Sequence, residues 1–184
     1  MRKIALTAAF AFLAASTAQA AGFSLHSPDI QGKFMSDKFI FNDFGCHGEN
    51  VSPALSWTNP PAGAKSFALM VHDPDAPTGG SGWWHWVVIN LPADMRSLPQ
   101  GAGAPAAPAL SAAVQTRTDF GKPGWGGPCP PVGDKPHRYV FTLYALKVDK
   151  LDVPADAPAA YVGFMVNANA IGKARFTAQY GRKK

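Results

Sequence analysis

The strongest constraint on the fold is the run at residues 137–148, HRYVFTLYALKV. It is apolar on both alternating faces, with Tyr139, Phe141 and Leu143 on one and Val140, Tyr144 and Leu146 on the other. A strand buried on both faces belongs inside a sheet that is covered on both sides. Residues 66–72 (SFALMVH) and 83–90 (WWHWVVIN) read as two further strands, closed by the turn-rich DPDAP and by Pro92. The 18 Gly and 17 Pro break the chain too often for a helical bundle and supply turns between strands. Residues 159–172 follow Pro158 and read as a helix, and residues 174–180 as a last strand. The fold class is therefore mostly β with one or two flanking helices. Residues 101–113 (GAGAPAAPALSAA) read as an exposed loop.

Residues 1–20, MRKIALTAAFAFLAASTAQA, have the form of a signal peptide. Arg2 and Lys3 form a charged start, an Ala-rich apolar stretch follows, and Ala18-Gln19-Ala20 gives a small-x-small cleavage pattern. The apolar stretch is shorter than the roughly 18–20 residues of a membrane span, so no integral membrane segment is expected. Cutting before Ala21 leaves residues 21–184 as one domain with no visible repeat or linker, destined for the periplasm. In an oxidising compartment Cys46 and Cys129 are expected to pair, closing a loop of about 80 residues. The net charge of +5 comes from the chain's ends. Setting aside Arg2, Lys3, Arg182, Lys183 and Lys184 leaves 12 basic residues of the 17, equal to the 12 acidic ones. That balance speaks against a nucleic-acid partner.

Polar residues gather at the strand ends. Asp73 and Asp75 follow the first strand, and glycines then lead into Trp83, Trp84, His85 and Trp86. Period-2 alternation puts Trp83 and His85 on one side and Trp84 and Trp86 on the other. His137 and Tyr139 share a face of the third strand. If the three strand ends meet, Asp73, Trp83, His85, His137 and Tyr139 line one small pocket. Each also has a plain structural reading: Asp73 as a turn cap, His85 as a core histidine, the tryptophans as packing.

The blocks HDPDAP (72–77), GWWHW (82–86) and GGPCPPVGDKPHRY (126–139) resemble the signature of the phosphatidylethanolamine-binding proteins. CHGENVSPALSW (46–57) and TRTDFG (116–121) are similar to the bacterial, Raf-kinase-inhibitor-like branch. The resemblance spans about residues 23–180. It implies a large antiparallel sheet packed on a smaller one, a flanking helix, and an anion-binding pocket. The pocket residues it implies are Asp73, Trp83, His85, Gly127, Pro130, Pro131, His137 and Tyr139. The implied ligand is a phosphate-bearing small molecule or phospholipid head group. Where animal relatives carry two adjacent histidines, this chain has Trp84-His85.

Such a pocket would use hydrogen bonds from His85 and His137, backbone N–H groups around Gly126 and Gly127 acting as an anion nest, and the aromatic face of Trp83. The expected function is non-catalytic binding, with no cofactor and no metal. One alternative is an inhibitor acting on a protease, kinase or other protein through its surface. The other is a phosphoester or ester hydrolase using Asp73, His85 and His137, although the chain has neither GxSxG nor HExxH. A homodimer is also compatible with the resemblance.

Overall fold

The computed structural model describes residues 22–184. The expected leader and its expected cleavage point lie outside the described residues. Three long runs become the heart of one sheet: β3 (Ser66–Asp73), β4 (Trp83–Pro92) and β7 (His137–Leu146). With β6 (Val114–Gln115) and β8 (Ala170–Tyr180) they form a five-stranded antiparallel sheet in the order β6-β4-β3-β7-β8. The run at 137–148 thus lies between two partners, as its two apolar faces require. A three-stranded sheet of β1 (Ser24–His26), β2 (Leu55–Thr58) and β5 (Ser97–Leu98) covers one face. Helix α1 (Ala159–Asn169) covers the other.

The core is accordingly in two parts. Between the sheets lie Leu25, Leu55, Trp57 and Leu98 of the small sheet against Phe67, Leu69, Val71, Trp86 and Phe141 of the large one. On the far face, Val162 and Val166 of α1 pack on Ala68, Met70, Val87 and Ile89. Successive residues of β3 feed these two clusters in turn, which is the period-2 signature of a strand covered on both sides.

Three readings need correction. The helix ends at Asn169 rather than 172, and β8 begins at once with Ala170. No Gly or Pro separates the two, so the sequence carries no stop signal there. The segment 101–113 is not simply an exposed loop. Ala102, Gly103 and Leu110 are buried, Gly103 N–H donates to Ser52 Oγ at 2.8 Å, and Pro108–Leu110 forms a 3-10 turn. Finally, β4 does not alternate regularly. Val71 pairs with Trp86 while His72 pairs with Trp84, so His85 is an extra residue in a β-bulge. His85 and Trp86 therefore lie on the same side, both near Trp125 with ring centroids 6.5 and 5.9 Å away. Trp84 lies on the opposite side, its ring tilted against that of His72 with centroids 4.2 Å apart. Trp86 does not share its side with Trp84.

Candidate functional site

The antiparallel order brings the C-terminal end of β3 beside the N-terminal ends of β4 and β7. Asp73 closes β3, Trp83 and His85 open β4, and His137 opens β7. These side chains meet at a cavity of about 320 Å³. Its polar floor is Asp73, His85 and His137, and its walls are Trp83, Phe44, Phe120, Pro77, Pro130 and Pro131, with Cys129, Ala76 and Thr78 completing the lining. Six of the eight predicted residues are therefore together at one opening.

The other two are not in the lining. Tyr139 is fully buried beneath it, its ring edge-on to His85 at 5.1 Å. Its hydroxyl has no hydrogen-bond partner among the described residues, and burial raises its pKa well above the ordinary value. Gly127 is buried, and a Cβ there would collide with the backbone of Phe39 and Ile40. Its N–H donates to Asn50 Oδ1 at 2.7 Å. The N–H of Gly126 donates to the His85 carbonyl at 2.9 Å. Both amides are committed, so this pair of glycines serves close packing and is not an anion nest.

Asp73 has two duties. Oδ1 accepts the N–H of Asp75 at 2.8 Å, capping the DPDAP turn, and Oδ2 accepts from His137 Nδ1 at 2.8 Å. Both side chains are almost wholly buried. His137 Nε2 lies 3.5 Å from Asp134 Oδ2 at the rim. Asp75 turns away from the cavity and grips Arg138 at 2.6 and 2.8 Å, which ties the turn to β7. That hydrogen-bonded guanidinium pulls the Asp75 pKa from 3.8 to about 2. The turn between β3 and β4 needs glycine at its end. Gly82 has φ +68°, and a Cβ would strike the His72 ring and the Asp73 carbonyl.

His85 is the most constrained group. Its Nδ1 lies 2.6 Å from the Gly126 carbonyl, so Nδ1 carries the hydrogen. Burial pushes its pKa from 6.5 down to about 4, against the upward pull of that carbonyl and of Asp73. The ring is neutral at physiological pH, and its Nε2 is an acceptor.

Cys46 and Cys129 form a disulfide with a Cα–Cα distance of 5.9 Å, fixing the wall that carries Cys129, Pro130 and Pro131. Among the described residues, no group of three or more His, Cys, Asp and Glu side chains is placed to hold a metal ion. Sequence reasoning assigned no pocket role to Phe44 or Phe120. Phe120 sits in the quoted block TRTDFG, and its ring meets Trp83, His85 and Phe44 at 5.5, 5.4 and 6.0 Å. Phe44 had no signal beyond standing two residues before Cys46.

Two packed antiparallel sheets, with a buried Asp–His pair beside a cavity at the open strand ends, define a β-sandwich. Profile comparison identifies which one. Residues 30–181 match the family described as phosphatidylethanolamine-binding protein, and the chain belongs to that family. It is 48% identical to the UPF0098 protein YbcL of Escherichia coli (strain K12), with 98% of each chain covered. It is 49% identical to YbhB of the same organism, over 85% of this chain and 98% of that one. The crystal structure of E. coli YbcL, described as a new member of the mammalian PEBP family, superimposes with a TM-score of 0.84, covering 88% of this chain and 99% of that one. A PEBP homolog from Chlamydia trachomatis, CT736, gives 0.74 at 31% identity, with 88% and 98% covered.

Proposed function

We propose that the protein is a non-catalytic binding protein whose pocket receives a phosphate-bearing head group, free or carried by a phosphorylated partner. The observation that carries this reading is the buried Asp73–His137 pair beside His85, at the floor of an opening walled by aromatic rings and prolines. The size suits a small head group. Family membership adds that related chains are built to hold ligands.

Absence of turnover is the reading that the floor favours. Asp73 and His137 reproduce the base and its orienting carboxylate, but among the described residues no activated nucleophile stands beside them. Thr78 is the hydroxyl in the lining, and it donates to the Gly82 carbonyl at 3.0 Å. Cys129 is held in the disulfide. The leader-like N-terminus and the disulfide both support a periplasmic location. No helix among the described residues is long and apolar enough to cross a membrane.

The test is an NMR titration of the purified protein with phosphoethanolamine, following the imidazole signals of His85 and His137. Saturable shifts in both, displaced by inorganic phosphate, are expected. No shift at millimolar ligand overturns the reading, and steady hydrolysis of a phosphoester that vanishes in His85→Ala overturns the non-catalytic part.

A further inference from the structure

We propose that the pocket selects phosphomonoesters over phosphodiesters, because the head group must itself bring a hydrogen to His85 Nε2. The inference rests on the anion-pocket reading and narrows it.

Donors are scarce at this floor. His85 has committed its Nδ1–H to the Gly126 carbonyl, and its Nε2 has no hydrogen-bond partner among the described residues. Unlike the Tyr139 hydroxyl, that nitrogen is not a sealed, unpartnered atom of the interior. His137 gives Nδ1–H to Asp73, and both Asp73 oxygens already accept. None of the lining residues is Lys or Arg. The neighbouring guanidinium of Arg182 is engaged by the carbonyls of Gly45 and Pro130, at 2.6 and 3.4 Å. Arg138 lies on the other face of β7, against Asp75.

A fully ionised phosphate would set bare oxygens against a bare nitrogen. A phosphate oxygen that keeps its hydrogen converts this repulsion into an O–H···N hydrogen bond. The second ionisation of a phosphomonoester lies near pH 6, so about a tenth of it carries that hydrogen near pH 7. The phosphate of a diester is fully ionised there and has no hydrogen to offer, while an ethanolamine ammonium is common to both kinds of ester.

The alternative proton source is His85 itself, and its surroundings make it a poor one. Burial dominates. From β3, Asp73 favours the charged ring and His72, on the opposite face, opposes it; Asp119 on the 116–126 loop favours it weakly. From β7, His137 is paired with Asp73 and Tyr139 lies edge-on, while Asp134 stands at the rim. The net result holds the ring at about 4. A monoester's proton is thus about two pH units easier to supply, an advantage of the order of 100-fold at most.

The experiment compares phosphoethanolamine with glycerophosphoethanolamine by calorimetry on the purified protein, between about pH 5.5 and 8.5, in two buffers of different ionisation enthalpy. The monoester is expected to bind at least ~10-fold tighter near pH 7, to take up close to one proton above that pH, and to weaken by up to about tenfold per pH unit. Equal affinities overturn the inference, as does monoester binding that strengthens as the dianion accumulates. In His85→Gln the amide N–H donates without proton uptake, so the preference and the pH slope should both collapse; a retained slope also overturns it. If neither ester nor inorganic phosphate binds at any pH, the anion-pocket reading itself falls, which is a different result from binding without preference.

Discussion

Gly126 and His85 hold each other through two hydrogen bonds. The Gly126 N–H donates to the His85 carbonyl at 2.9 Å, and the Gly126 carbonyl accepts the His85 Nδ1–H at 2.6 Å. The first bond docks the 116–126 loop onto the bulge of β4. The second fixes the imidazole tautomer and leaves Nε2 an acceptor with no hydrogen-bond partner among the described residues. A Cβ on Gly126 would run into the Phe120 ring, which packs against both His85 and Trp83. One glycine therefore sets the position of a wall and the chemistry of the floor together.

Gly126→Ala should disturb both at once. The methyl group forces Phe120 outward or pulls the carbonyl off His85, at a cost of about 1–3 kcal/mol, the usual range for overpacking. Urea denaturation measures the loss, and the imidazole ¹⁵N shifts of His85 report whether Nδ1 keeps its hydrogen. Wild-type stability with an unchanged tautomer would show that Phe120 moves freely and that the clamp is not needed.

Asp73→Ala should be worse for stability than its position at a turn suggests. It strands two donors, the His137 Nδ1–H in the interior and the Asp75 N–H in the turn, and each unmet donor costs about 1–3 kcal/mol. Asp73→Asn keeps one acceptor oxygen and should recover part of the loss. Chemical denaturation of the two variants in parallel checks this ordering; equal stabilities would mean that the carboxylate acts only as a spacer.

The sequence made this pair findable, since the three long strands were legible from their turn-bounded apolar runs. His137 and Asp73 met because both stand at strand ends where turn residues cluster. The parts that were not legible have physical reasons. Strands β1, β2, β5 and β6 are two to four residues long, too short to show a period. The bulge at His85 adds one residue, so counting by twos put Trp86 on the wrong side. The Gly126-Gly127 pair reads equally well as an anion nest or as close packing, and the committed amides together with the Phe120 ring and the Phe39–Ile40 backbone decide for packing. The Phe44 and Phe120 walls come from distant loops, and no local pattern announces that pairing.

Reducing the disulfide should act on stability and pocket alike. Cys46 and Cys129 are 83 residues apart, so the bond restrains a long loop in the unfolded chain, an effect of about 3–5 kcal/mol. A lowered thermal midpoint in reductant, matched by Cys46→Ala/Cys129→Ala, is expected. Because Cys129 lines the cavity, the Trp83 and Phe120 signals should shift in the reduced protein under conditions where it is still folded. A midpoint insensitive to reductant would show that loop closure contributes nothing here.

Acid should weaken the fold through His85 before it reaches any carboxylate pair. The imidazole pKa is 6.5 when the chain is unfolded and about 4 when it is buried in the folded protein. Between these values the unfolded chain binds more protons, so stability rises with pH. The contribution is complete above about pH 7, is lost as pH falls from 6.5 towards 4, and changes no further below that. Its size is of the order of 3 kcal/mol. Asp75, lowered from 3.8 to about 2 by Arg138, has the same sign but acts only beneath that window. Urea denaturation at about pH 4.5, 5.5, 7 and 8 should show a decline confined to the lower two, much reduced in His85→Gln, which has no proton to take up. Saturating phosphoethanolamine should shrink the decline in the wild type, since the phosphate monoanion, which brings the hydrogen that His85 Nε2 accepts, accumulates as pH falls. Equal pH slopes in wild type and variant would place the acid sensitivity elsewhere in the molecule and leave His85 without its neutral, buried state.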